Sequence, residues 1–274
     1  AGPAFDLAYV RTGPPTATPM VVVPGGPGLG SVLPYGGLRR RAARLGLDVI
    51  MVEHRGVGLS RTDLADRDLS ASAVWVMWVI DDIAAVLGHE GVESAFLVGS
   101  SYGSYLASCF AAAHPGRVAG MLLDSALQSA ADIDLERHAI RALFWDADTA
   151  MAQRVRALHA TGTDDRRLLD VIRAAYELGG RELVEPLLRD QLRRGRGLAW
   201  RLLEAYATRD EGVVTVPGSY EFDLVGTIGF RELGYGASPD GLPLDPALTY
   251  APIAHRFPAF DSEPFDLTRE AQRF

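Results

Sequence analysis

The chain has 274 residues and a net charge of -8, with 48% apolar and 23% charged residues, a globular composition long enough for one large α/β domain or a core carrying an insertion. The acidic balance, with no basic patch interleaved with aromatics, argues against nucleic acid as a partner, and no apolar run approaches the length of a membrane span. Lysine and asparagine are absent and Cys109 is the single cysteine, which excludes Schiff-base lysine chemistry, a P-loop lysine, an intramolecular disulfide and a cysteine metal cluster.

Taken in order, Leu7 to Val10 reads as an edge strand and Met20 to Val23 as a buried strand running into Pro24-Gly25-Gly26-Pro27-Gly28. Val32 to Leu45 predicts a helix and Leu47 to Val52 the next buried strand, followed by the glycine-punctuated loop Glu53 to Ser60. A helix over Ala73 to Leu87, a strand over Ala95 to Val98, a helix over Tyr102 to Ala113 and a strand over Val118 to Leu123 complete the alternation. Alternating strands and helices demand parallel pairing with helices on both faces of the sheet.

The organising stretch is Gly99-Ser100-Ser101-Tyr102-Gly103. It fits G-x-S-x-G between a buried strand and a helix, the context of a nucleophile elbow in an α/β-hydrolase fold. Ser101 is the candidate nucleophile. The Tyr102 N–H, at the positive end of the following helix, is one candidate oxyanion donor, and Gly26 N–H in the earlier glycine loop is the second. His54 precedes the nucleophile, whereas this fold places acid and base after it, so His54 is disfavoured as the base.

Pro-Gly-Gly-Pro-Gly (24–28), His-Arg-Gly-Val-Gly-Leu-Ser (54–60), Gly-Ser-Ser-Tyr-Gly-Ser-Tyr-Leu-Ala (99–107) and Ala-His-Pro-Gly-Arg-Val (113–118) together resemble the proline iminopeptidases. The resemblance implies an α/β-hydrolase exopeptidase that removes N-terminal residues, proline in particular, and that needs no cofactor. The family's loop usually reads His-Gly-Gly-Pro-Gly, and here Pro24 replaces the histidine. The family recognises the free α-amino group through glutamates of its cap, which makes Glu204 and Glu232 candidates by type and region.

From Asp132 the pattern becomes helical: Ile140, Leu143, Phe144, Ala147, Met151, Val155 and Leu158 recur at helical spacing, with further short helices separated at Gly179-Gly180 and Gly195. This divides the chain into a core over 1–130, a helical cap over 131–250 and a return segment toward the core over 251–274. After Gly212 no period is legible. The run Arg189, Arg193, Arg194 and Arg196 reads as a solvated helix face.

A serine nucleophile needs an imidazole to take its proton and a carboxylate to orient that imidazole, both on later core loops. Residues 251–274 contain no apolar strand run. Two readings follow. In one, the last core strands, with acid and histidine, come from a further segment or a second polypeptide; in the other, Asp124 is the acid and His255 the base. The first is preferred. An esterase or amidase of the same fold, or a binding protein that keeps the elbow without its triad, are the alternatives to a peptidase. The substrate expected is a small peptide, amide or ester, the expected location cytoplasmic, with export behind a removed signal left open.

Overall fold

The structure is a computed structural model that describes residues 4–129, 131–195, 197–208, 215–257 and 267. The chain packs as two compact units, one of residues 1–130, 214–234 and 256–274, the other of residues 131–213 and 235–255. Residues 214–234, which sequence leaves in the helical insertion, thus pack with the first unit. Most of the expected return segment, residues 258–266 and 268–274, lies outside the described residues, as does Arg196 of the basic run.

The first unit is built on a sheet of β1 (Tyr9–Thr12), β2 (Met20–Val23), β3 (Val49–Val52), β4 (Ala95–Ser100) and β5 (Val118–Asp124), in spatial order β1-β3-β2-β4-β5. Only β1 runs antiparallel, with Tyr9 opposite Val52. The parallel register sets Val23 beside Gly99 and Ser100 beside Asp124. The carboxyl ends of β2, β4 and β5 therefore share one rim of the sheet, where the crevice of an open parallel sheet forms.

Helices α1 (Gly36–Arg44), α2 (Val76–His89) and α3 (Tyr102–Ala113) follow β2, β3 and β4. Every residue of α3 from Tyr102 to Phe110 is buried. A helix without a polar face belongs in the middle of a core, which is why α3 can hold the residue before it rigidly. Cys109 is buried on this helix. The first unit also contains a two-stranded ribbon, β6 (Thr215–Val216) and β7 (Tyr220–Glu221), and α8 (Phe222–Glu232). Phe222 of α8 meets Phe257 edge-on at 5.4 Å.

The second unit is helical, with α4 (Asp132–Arg141), α5 (Ala150–Ala160), α6 (Asp165–Arg194), α7 (Leu198–Ala207) and α9 (Ala251–Ala254). Met151, Val155, Leu168, Ile172, Val184, Leu188 and Trp200 share one buried cluster. Side chains of Thr149 and Asp164 cap α5 and α6, satisfying N–H groups that each helix start would otherwise leave unpaired. Gly179 and Gly180 break α6, at the point the sequence predicts. Arg137 to Asp245 at 3.0 Å and Arg141 to Asp240 at 2.7 Å fasten 235–255 onto α4. Arg189, Arg193 and Arg194 are exposed. Among the described residues, no helix is long and apolar enough to cross a membrane.

Candidate active site

Ser101 sits between β4 and α3 with φ 51° and ψ -122°, a left-handed conformation that costs a non-glycine residue on the order of 1–3 kcal/mol and persists only where its surroundings impose it. Its N–H donates to the Asp124 carbonyl at 2.8 Å, and its own carbonyl accepts from the Ser104 N–H at 2.9 Å and the Ser104 hydroxyl at 2.5 Å. Backbone bonds on both sides thus fix the turn.

The flanking glycines are required by contact. A Cβ on Gly99 would fall 2.3 Å from the Gly103 carbonyl oxygen, and one on Gly103 would fall 2.1 Å from the Val23 carbonyl oxygen. Any larger residue would drive α3 away from β2. A Cβ on Gly25 would lie 3.1 Å from the Ser101 Cβ, which puts the loop 24–28 directly against Ser101. Tyr102 is the first residue of α3, so its N–H belongs to the turn whose donors have no carbonyl partner within the helix.

His54 is buried beneath this turn. Its Nδ1 is 2.6 Å from the Arg55 carbonyl and its Nε2 is 3.0 Å from the Tyr102 hydroxyl. A carbonyl only accepts, so Nδ1 carries the proton and Nε2 accepts from Tyr102. Burial lowers the His54 pKa to about 4 and pushes the Tyr102 hydroxyl well above its ordinary value, so imidazole and phenol are both neutral. With both nitrogens engaged, His54 has none to offer Ser101. Arg55 forms a two-pronged pair with Asp82 at 2.7 and 2.6 Å and reaches the Ala73 carbonyl at 3.2 Å, so a carboxylate together with a carbonyl organises this loop.

Asp124 closes β5 beside the elbow. Its carboxylate is exposed and accepts from the Ser100 hydroxyl at 3.1 Å. His255 is exposed at the end of α9, in the second unit. The other imidazoles of the first unit are placed elsewhere: His89 packs against the Tyr9 ring at 6.1 Å, and His114 faces Asp81 at 3.7 Å. Glu204 lies on α7 of the second unit, 3.2 Å from the Arg167 guanidinium. Glu232 lies in the first unit, buried, paired with Arg231 at 2.6 Å. Burial raises its pKa against the opposing pull of Arg231, whose guanidinium also stacks 3.4 Å from the Trp75 ring.

Sequence reasoning missed two buried carboxylates that brace the rim. Glu53 Oε2 accepts the Ser31 N–H at 2.5 Å and the Val32 N–H at 3.0 Å. Glu221, in a segment without legible period, accepts the Gly58 N–H. The only signal available for Glu53 was its place at the carboxyl end of a buried strand.

Comparison with known proteins bears on the fold. Residues 18–167 match the family model described as the alpha/beta hydrolase fold. A probable proline iminopeptidase of Leptolyngbya boryana is 29% identical over 117 residues, 43% of this chain and 34% of that protein. One of Streptomyces coelicolor is 31% identical over 124 residues, 44% of this chain and 37% of that protein. The matches thus span about a third of the length of these curated relatives. The solved structure of Est816, described as an N-acyl homoserine lactone degrading enzyme, aligns over 98% of this chain and 93% of its own, at 17% identity and a TM-score of 0.44. The matched family stretch covers more than half of the sequence and contains the glycine loop, the elbow and all four parallel strands, and the chain belongs to the alpha/beta hydrolase fold family.

Proposed function

We propose that the protein is a serine hydrolase of the proline iminopeptidase type, an aminopeptidase releasing proline or other N-terminal residues from peptides. The observation that carries this reading is the left-handed Ser101 between β4 and α3, with the loop 24–28 packed against it. Ser101 Oγ attacks the scissile carbonyl as an imidazole takes its proton. The N–H groups of Tyr102 and Gly26 hold the oxyanion, the amine leaves with the proton, and water then hydrolyses the acyl-enzyme. The similarity to proline iminopeptidases supports the choice of substrate.

The imidazole is proposed to come from polypeptide beyond the described residues, in a strand-helix unit that adds to the outer edge of β5. That edge has no partner strand among the described residues. Beside it, Phe96, Met121 and Leu122 are exposed around an apolar groove of about 520 Å³. A strand added in parallel ends at the same rim as Ser101, about one strand spacing, ~4.8 Å, beyond Asp124, so the loop after it reaches the nucleophile. Chromogenic proline amides and short acyl esters, given to the native protein and to Ser101→Ala, test the reading. Amide turnover lost in Ser101→Ala is expected; ester turnover without any amide turnover contradicts the peptidase assignment.

A further inference from the structure

We propose that Glu221 is a positioning residue for the oxyanion-binding loop, an inference that rests on the reading of Gly26 as an oxyanion donor. Residues 219–221 run as a short antiparallel strand along residues 28–30. The Gly30 N–H donates to the Ser219 carbonyl at 2.9 Å, the Glu221 N–H donates to the Gly28 carbonyl at 2.8 Å, and Leu29 pairs with Tyr220. The loop that begins at Gly25 therefore ends in a two-stranded ladder whose other strand carries Glu221.

The Glu221 side chain does a second job. It is 3% exposed, and its carboxylate accepts the Gly58 N–H and lies 3.6 Å from the Arg61 guanidinium. Arg61 is held in turn by Asp223 at 2.9 Å and Asp68 at 2.7 Å. Gly58 also packs against Glu53, since a Cβ there would fall 2.2 Å from Glu53 Oε1. Glu53, through its other oxygen, holds the N–H groups of Ser31 and Val32. Residues 28–32 are thus gripped at one end by the Glu221 backbone and at the other by the Glu53 carboxylate, and both grips converge on Gly58.

Burying a carboxylate is costly unless its bonds are made, and the ladder itself needs only the Glu221 backbone. The charge serves the link to Gly58 and Arg61, which sets where the ladder, and with it the loop 24–28, stands. Displacing a catalytic donor by about 1 Å costs on the order of 100-fold in rate.

The test compares Glu221→Ala and Glu221→Gln with the wild type in the native assembly, by steady-state ester turnover, thermal unfolding and hydrogen exchange of the peptide covering 24–32. In Glu221→Ala, kcat is expected to fall about 10- to 100-fold with KM within about twofold, and 24–32 to exchange faster. Glu221→Gln, which keeps an acceptor oxygen for Gly58, is expected to return kcat to within about threefold and restore protection. Should Glu221→Ala fail to fold, Glu221→Asp, with its carboxylate drawn back by one methylene, replaces it with the same expectation. Unchanged kcat in the folded variant, an equal loss in KM, or unchanged exchange at 24–32 overturns the proposal. Absence of turnover in the wild type contradicts the hydrolase reading instead, and exchange at 24–32 then decides the role of Glu221 alone.

Discussion

The two edges of the sheet are built to opposite designs. β1 is four residues long and antiparallel, and its flank is a polar network. Arg11 forms a two-pronged pair with Asp48 at 3.0 and 2.6 Å and reaches Glu90 at 2.9 Å, while the Tyr9 hydroxyl donates to Glu90 at 2.5 Å. Short length and inward-turned charge are how a sheet presents an edge to water without inviting another strand. β5 is seven residues long and parallel, and leaves Met121 47% and Leu122 59% exposed, beside Phe96 of β4 at 47%. Such composition belongs to a strand inside a parallel sheet, covered on both faces. The difference supports the proposal that the core is finished at β1 and completed beyond β5.

The comparison breaks most readily at β1. Asp48→Ala leaves the Arg11 guanidinium with half its partners, and a loss of about 3–5 kcal/mol is expected in urea unfolding; a loss under about 1 kcal/mol would show that the network does not seal this edge. Burial disfavours the Asp48 charge, but Arg11 and the Thr16 N–H outweigh it and hold its pKa below the ordinary carboxylate value. This part of the stability is present above the ordinary value and lost as pH falls through the lowered one.

Between the edges, His54 supplies the next largest effect. The unfolded imidazole takes a proton near 6.5 and the folded one near 4, so between those values the unfolded state binds more protons. Stability is full above pH 6.5 and declines by about 3 kcal/mol on going to pH 4. Denaturation across this range should show that slope in the wild type and a shallower one in His54→Gln; equal slopes would mean that His54 is not held neutral.

The smallest effect is expected at β5. Leu122→Glu replaces an exposed side chain and should change the stability of the 274-residue chain by less than about 0.5 kcal/mol. The same substitution should abolish turnover in the native assembly if a strand-helix unit covers this face. Full activity in the variant assembly would remove β5 as the place of completion.

What the sequence made legible follows from how local each signal is. Met20–Val23 and Tyr102–Ala113 are read to the residue, because an all-apolar strand running into a glycine loop and a helix without charged residues announce themselves in their own composition. Gly99 and Gly103 are legible through the turn they permit. α8 was not legible, since Gly226 and Gly229 interrupt its helical pattern and its packing depends on Phe257. The role of Glu221 was invisible for a related reason: its partner Gly58 is 163 residues away, and no short motif encodes a contact of that span. The expectation for Glu232 rested on residue type and region, and neither reveals that Arg231 already occupies its carboxylate.

The account stands on Ser101 as a nucleophile activated from across the β5 edge. Its most direct measurement is fluorophosphonate labelling followed by intact mass, on the isolated 274-residue chain and on the assembly purified from source cells. The account predicts one adduct at Ser101 in the assembly, absent in Ser101→Ala, and labelling at least about 100-fold slower in the isolated chain for want of a general base. An isolated chain that labels and turns over at the full rate, or an assembly whose Ser101 does not react, would contradict it.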